Sequence, residues 1–301
     1  MPRLMLLDTP SLYFRAYFGV PESMTAPDGM PVNAVRGLID MIATLVRAHE
    51  PTELVACMDA DWRPAFRVAA IPSYKAHRVA TGHEEEVPDT LAPQVPVIEQ
   101  VLDALGVARV GVDGYEADDV IGTYTAQATG PVDIVTGDRD LFQLVDDERR
   151  RRVLYTVKGI RNIQVIDEAH VTAKYGIPGR AYADYATLRG DPSDGLPGVP
   201  GVGDKTAAAL ITRFGTLEAM MAALDDGAST GFPAGSRNRL NAARDYLAVA
   251  PAVVKVAHDA PLPDVDVTLP VKARDPEALV ALADRYGLDN PLNRLLAVLA
   301  P

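Results

Sequence analysis

Nine acidic side chains of this chain fall in clusters: Asp8, Asp59, Glu116 with Asp118 and Asp119, Asp138 with Asp140, and Asp191 with Asp194. Carboxylates grouped in this way suit one kind of chemistry above others, the holding of hard divalent cations through oxygen ligands, with Mg²⁺ or Mn²⁺ the natural choice. Two carboxylates about 4 Å apart repel by roughly 4 kcal/mol at an effective dielectric near 20. Three such pairs would approach the whole stability of a domain, about 5–15 kcal/mol. Without a cation the acids would have to protonate, with raised pKa values.

The elements that must position them are legible around them. Leu4–Leu7, 54–58 and 132–135 are short, mostly apolar runs, each followed by an Asp or a Gly-Asp. Such runs read as strands buried on both faces of a parallel sheet. Ligands of open α/β sheets bind outside the carboxyl ends of the strands, so acids delivered there by three strands should meet in one crevice. Acids at 116–119 also suit a helix start, where each stabilises the dipole by about 0.3–1 kcal/mol. Asp138 alone would serve as a helix cap, and a cap needs one acid rather than two.

Two further segments carry chemistry. Tyr74-Lys75-Ala-His-Arg78, with Arg67 upstream, is a small basic and aromatic patch. Lys75 and Arg78 are placed to neutralise charge developing on a phosphate, and Tyr74 to stack on an unpaired base. The segment 188–207, rich in glycine and proline, ends in Gly201-Val-Gly203-Asp-Lys205-Thr206-Ala and resembles the hairpin of helix-hairpin-helix DNA-binding elements. Its backbone N–H groups at a helix N-terminus offer a phosphate site, which would position a duplex without reading its sequence. The run 149–152 of four arginines reads as a solvated face. His49, His77, His83, His170 and His258 show no ligand spacing.

Composition sets the bounds. The chain has 301 residues, 48% hydrophobic, enough for one large core or two interlocked domains. The single cysteine, Cys57, lies in an apolar run, which excludes an intrachain disulfide and zinc-finger spacing and fits a reducing, cytoplasmic compartment. No run of apolar residues is long enough to span a membrane, and no secretory signal is expected. The net charge of −12 argues against nucleic acid only at first sight, because bound cations would turn the acid patch from repelling phosphate to attracting it.

The pattern divides the chain into an α/β unit over 1–166, a helical module over 167–260 and a C-terminal segment over 261–301 packing back on the core. Helices are expected near 35–46, 97–105, 181–188, 205–214, 217–224, 239–249, 276–286 and 291–299, with an extended stretch near 262–271. The polar, proline-interrupted segment 74–96 reads as a mobile arch standing over the crevice, unsuited to packing in a core.

Asp8, Asp59 with Phe66-Arg67, the Tyr74-Lys75-Ala-His-Arg78 motif, Glu116-Ala-Asp-Asp, Gly137-Asp-Arg-Asp and Gly190-Asp-Pro-Ser-Asp with the hairpin occur in one order. In that order they resemble the bacterial structure-specific 5′-nucleases, the flap endonuclease and 5′–3′ exonuclease group that also forms the N-terminal domain of DNA polymerase I. The resemblance covers nearly the whole chain. It implies a PIN-like parallel sheet flanked by helices, a helix-three-turn-helix DNA-binding module, and a stand-alone form, since the chain ends at Pro301. It implies a first metal site of Asp8, Asp59, Glu116 and Asp118, with Asp119 beside or between sites, and a second of Asp138, Asp140, Asp191 and Asp194. It also implies K⁺ on the carbonyls of Leu188, Arg189, Pro197, Val199 and Val202, and DNA contacts from Arg67, Tyr74, Gly201, Gly203, Lys205 and Thr206. Lys75, Arg78, Asp119 and Asp140 are the expected catalytic residues. Asp8 is followed by Thr9-Pro10 where relatives carry glycine and small polar residues.

The expected function is metal-dependent cleavage of DNA 5′ flaps and recessed or nicked 5′ ends, by a monomer with a functional link to a DNA polymerase and a ligase. The alternatives are a PIN-type ribonuclease and a catalytically silent DNA-junction binder.

Overall fold

The computed structural model describes residues 2–82, 84–227 and 230–300. His83, inside the expected arch, and Pro301 lie outside them. The strands are β1 (Leu4–Asp8), β2 (Glu53–Cys57), β3 (Val79–Thr81), β4 (Glu84–Glu85), β5 (Ala108–Val110), β6 (Val132–Thr136), β7 (Arg151–Tyr155) and β8 (Gln164–Ile166). Six form one sheet in the order β5-β2-β1-β6-β7-β8, parallel except for β8, while β3 and β4 form a separate antiparallel pair.

The period of two along a strand sends alternate side chains to opposite faces. Leu4, Leu6, Val55 and Cys57 join one core, beneath the helix Ala117–Gln127 and the helical module. Met5, Leu7, Leu54 and Ala56 join the other, under the helices Asn33–His49, Val95–Leu105, Pro276–Tyr286 and Asp289–Leu299. All of these strand side chains are buried, each contributing about 1.5–3 kcal/mol if fully apolar and large. The register does the positioning: Leu4 faces Glu53 on one side and Val132 on the other, so β1, β2 and β6 end level. Asp8, Asp59 and Asp138 therefore leave the sheet on one rim.

The helical expectations hold at 35–46, 97–105, 181–188, 205–214, 217–224, 276–286 and 291–299, within a few residues at the ends. The helix expected over 239–249 is instead two, Ser236–Ala242 and Arg244–Val249. The break is at Ala243, where ψ is 14° and the N–H is shared between the carbonyls of Arg239 and Leu240. The stretch 262–271 is extended, and Val267 and Leu269 exchange main-chain hydrogen bonds with Leu54 and Thr52.

The 74–96 segment departs from its expectation. It is built of a 3₁₀ turn at Ala76–Arg78, the β3/β4 hairpin and a second 3₁₀ turn at Ala92–Gln94, and its base does enter the core, since Leu91 and Gln94 are fully buried. Gln94 accepts from the N–H of Ala34 at 2.8 Å and donates to Asn33 Oδ1 at 3.0 Å. It thereby satisfies the start of the Asn33–His49 helix, which has no capping side chain of its own. The arginine run is also not a uniform solvated face: Arg151 is buried at the start of β7, and Arg152 pairs with the buried Asp133 at 2.7 Å.

Candidate functional site

At the carboxyl rim of the sheet lies an open cavity of about 390 Å³ walled by Asp8, Asp59, Glu116, Asp118, Asp138, Asp140, Asp191 and Asp194. Lys75, Arg78 and Arg139 stand among them. Asp8 ends β1 and caps the helix Thr9–Gly19: Oδ1 accepts from Ser11 N–H at 3.2 Å and Oδ2 from the Thr136 hydroxyl at 2.6 Å. Pro10 sits in the first turn, where its missing N–H costs nothing, so Thr9-Pro10 leaves a regular helix start. Asp59 accepts from Ala117 N–H at 2.7 Å, which ties the end of β2 to the acidic helix.

Asp119 is not in the cavity. It is the third residue of a capping box with Glu116, and each of its oxygens accepts two hydrogen bonds. Oδ2 takes Arg67 Nη1 at 2.7 Å and Glu116 N–H at 3.1 Å, and Oδ1 takes Arg67 Nη2 at 2.7 Å and Ala257 N–H at 2.8 Å. No lone pair of Asp119 is left for an ion. Arg67 is 2% exposed and also reaches Glu116 Oε2 at 2.9 Å, so it cannot meet DNA. Tyr74, 3% exposed, donates its hydroxyl to Glu116 at 2.9 Å and has no open ring face for a base. The two expected DNA contacts are thus braces of Glu116, drawn inward because a buried carboxylate needs charge and donors around it.

Lys75 Nζ meets Glu116 Oε1 at 2.7 Å. Burial works against its charge, but Glu116, Tyr74, Asp194 and Asp59 together outweigh it, so its pKa lies well above the usual lysine value. The backbone of Lys75 has φ 48°, and its N–H donates to the carbonyl of Asp194 at 3.0 Å. Ser73 donates to the carbonyl of Gly195 at 2.8 Å. A Cβ on Gly195 would lie 2.1 Å from the Ser73 carbonyl, which explains glycine there. This seam carries Lys75 and Arg78 to the acids at 191–194, where Arg78 pairs with Asp194 at 2.6 Å.

Electrostatics separate the acids. Burial drives the Asp8 and Glu116 carboxyls up to about 7, helped at Asp8 by Asp59 and Asp138 and resisted at Glu116 by Lys75 and Arg67. Burial likewise raises Asp59, Asp118, Asp138 and Asp140, with neighbouring carboxylates adding to the last three. Asp191 goes the other way: burial opposes its charge, yet Ser193 and Arg139 hold it below the usual range. Asp140 Oδ1 is buried with no partner among the described residues.

In the hairpin, Gly190 and Gly198 cross backbone on backbone; a Cβ on Gly198 would lie 2.5 Å from the Arg189 carbonyl. The carbonyls of Leu188 and Val199 accept the N–H groups of Val199 and Val202, both at 2.9 Å. Gly203 precedes the helix Asp204–Phe214 without a side-chain cap, and Gly201, Gly203 and Lys205 are exposed. Thr136 and Arg139, which orient Asp8 and Asp191, have no role in the sequence reading. Their signal was adjacency to Asp138.

Residues 3–176 match the family model of the 5′-3′ exonuclease N-terminal resolvase-like domain, and residues 177–277 that of the 5′-3′ exonuclease C-terminal SAM fold. A 5′-3′ exonuclease of Streptomyces coelicolor is 66% identical over 300 residues, covering 98% of this chain and 99% of its own length. One of Mycobacterium tuberculosis is 51% identical, covering 97% and 96%. The DNA polymerase I of Bacillus subtilis is 31% identical over 297 residues, which span 97% of this chain and 32% of the polymerase. In fold, the chain is similar to the D15 flap endonuclease of bacteriophage T5, solved with DNA and metal ions, with a TM-score of 0.67, 16% identity and 99% of each chain covered. By sequence along nearly its full length, the chain belongs to the 5′–3′ exonuclease family.

Proposed function

We propose that this protein is a metal-dependent DNA nuclease that cuts 5′ flaps and recessed or nicked 5′ ends. The observation that carries the reading is the convergence of eight carboxylates in one cavity with Lys75 and Arg78 at its wall. Oxygen-only donors, raised carboxyl pKa values and the partnerless Asp140 Oδ1 fit hard divalent cations. Among the described residues no three acid, His or Cys side chains converge tightly enough to grip one bare ion.

Asp8, Asp59 and Asp118 would hold one ion together with Glu116, which would exchange one of its hydrogen bonds from Tyr74, Lys75 or Arg67 for it, and Asp138, Asp140, Asp191 and Asp194 would hold a second. Bound there, the cations supply a water of lowered pKa and stabilise the attacking and leaving oxygens. Lys75, fixed by Glu116, presents a cation to the scissile phosphate, and Arg78, once released from Asp194, presents a second. Arg139 and Arg78 must give up Asp191 and Asp194 when an ion is taken up on that side. Gly201, Gly203, Lys205 and Thr206 would hold duplex phosphates. The carbonyls of Leu188, Arg189, Pro197, Val199 and Val202 would hold K⁺, those of Leu188 and Val199 through a second lone pair. Cleavage of a flap leaves a nick, which links this activity to polymerase and ligase reactions.

A 5′-labelled DNA flap incubated with Mg²⁺, Mn²⁺ or EDTA tests the reading. Short products from near the junction, absent in EDTA, are expected. Tight flap binding without cleavage in either metal would contradict it, and preference for an RNA flap would favour the ribonuclease.

A further inference from the structure

Side chains that fix both acid clusters reach the same short segment of chain. Arg67, between Glu116 and Asp119, donates to the carbonyls of Val253 at 3.0 Å and Lys255 at 3.5 Å. Asp119 accepts from Ala257 N–H at 2.8 Å. From the other cluster, Gln143 donates to the carbonyl of Asp140 at 2.8 Å and to that of Val254 at 3.1 Å, and accepts from Val256 N–H at 3.1 Å. Gly122, on the acidic helix, has no room for a side chain: a Cβ would lie 2.5 Å from the Ala257 carbonyl and 2.7 Å from the Val256 side chain.

The segment is also the exit of the helical module. It begins in the helix Pro251–Val254, and its Lys255 pairs at 3.0 Å with Asp184, on the helix Tyr182–Arg189 that leads into the hairpin. Asp184 in turn accepts from Leu217 N–H at 2.9 Å, beyond the hairpin. One strap therefore bonds through Lys255 to the helix that leads into the hairpin and, along its whole length, to side chains of both acid clusters.

We infer that the strap Val253–Ala257 is a positioning element that sets the distance from the hairpin to the acid cavity, and so decides which phosphate of a bound strand is cut. The inference rests on the proposed nuclease reading. Simple domain packing would be served by the apolar contacts of Val253, Val254 and Val256, all buried. Instead, polar bonds run to the same groups that brace Glu116 and Asp140, and a buried polar network of this kind specifies one arrangement.

Gly122→Ala and Gln143→Ala test it, since neither residue lines the cavity. The DNA Kd in EDTA should be unchanged. Cleavage should slow by about 10–100-fold, the cost of a misplacement near 1 Å, and the products from a 5′-labelled flap should spread over neighbouring phosphates. Slower cleavage at the unchanged position, or no change, would overturn the inference. Amide hydrogen exchange gives a readout free of catalysis. Flap DNA should slow exchange across Ala117–Gln127 in the wild type and much less in Gly122→Ala, and equal protection would overturn the strap. A wild type that cuts no flap would remove the nuclease reading, and the exchange result would still decide the strap.

Discussion

The two ends of the acid cavity are built on opposite principles. Around Glu116 and Asp119 the protein supplies its own counter-charges and donors: Arg67, Lys75 and the Tyr74 hydroxyl. Around Asp138 and Asp140 it supplies almost none, since Arg139 is spent on Asp191 and Asp140 Oδ1 has no partner among the described residues. The first end has its charges balanced largely by the fold's own cations, whereas the second has few such partners among the described residues. In the proposed reading the first end orients the phosphate and the second depends most on a bound cation.

Deleting charge should therefore have opposite consequences at the two ends. Asp119→Ala takes away the bidentate partner of the buried Arg67 guanidinium and leaves it Glu116 alone as a carboxylate among the described residues, and should lower stability by about 3–5 kcal/mol in a denaturant titration. A loss below about 1 kcal/mol, on the scale of an exposed pair, would break the comparison. Lys75→Ala should lower kcat by about 10²–10³ with little change in KM, as for loss of one group that meets developing charge. A matched rise in KM with kcat unchanged would make Lys75 a binding residue only.

The pH dependence follows from Glu116. Its folded pKa, about 7 against an ordinary 4.5, means that the folded state binds more protons than the unfolded state between those values. Stability in EDTA should therefore fall as pH rises across that window, by roughly 3 kcal/mol from this group alone. Divalent metal should remove the fall, and stability that rises with pH in EDTA would contradict the burial of ionised acids. The smallest effect on stability is expected from Asp140→Asn, which relieves repulsion from Asp138 and should raise Tm slightly in EDTA, although the same variant should abolish cleavage in Mg²⁺. A lowered Tm would show that Asp140 already has a stabilising partner.

The strands, their order of acids and the hairpin were legible because apolar runs, strand-end carboxylates and glycines leave local marks. The inward turn of Arg67 and Tyr74 was not. Their own neighbourhood is polar, and the carboxylates that draw them inside lie 49 and 42 residues away. The role of Asp119 was hidden for a related reason: a capping acid and a metal-binding acid look alike in sequence, and only the guanidinium across it separates them. The strap left no signal, since it acts largely through backbone carbonyls and N–H groups. The burial of Leu91 and Gln94 was missed because the polar residues around them read as a solvent-exposed loop.

The most direct test of the site is a calorimetric Mn²⁺ titration of the wild type, Asp140→Asn and Asp119→Asn without DNA. The account predicts that Asp140→Asn loses or greatly weakens a binding event, while Asp119→Asn, where folded, keeps the wild-type isotherm. Binding lost in Asp119→Asn and kept in Asp140→Asn would contradict it, and would make Asp119 rather than Asp140 the residue on which ion binding depends.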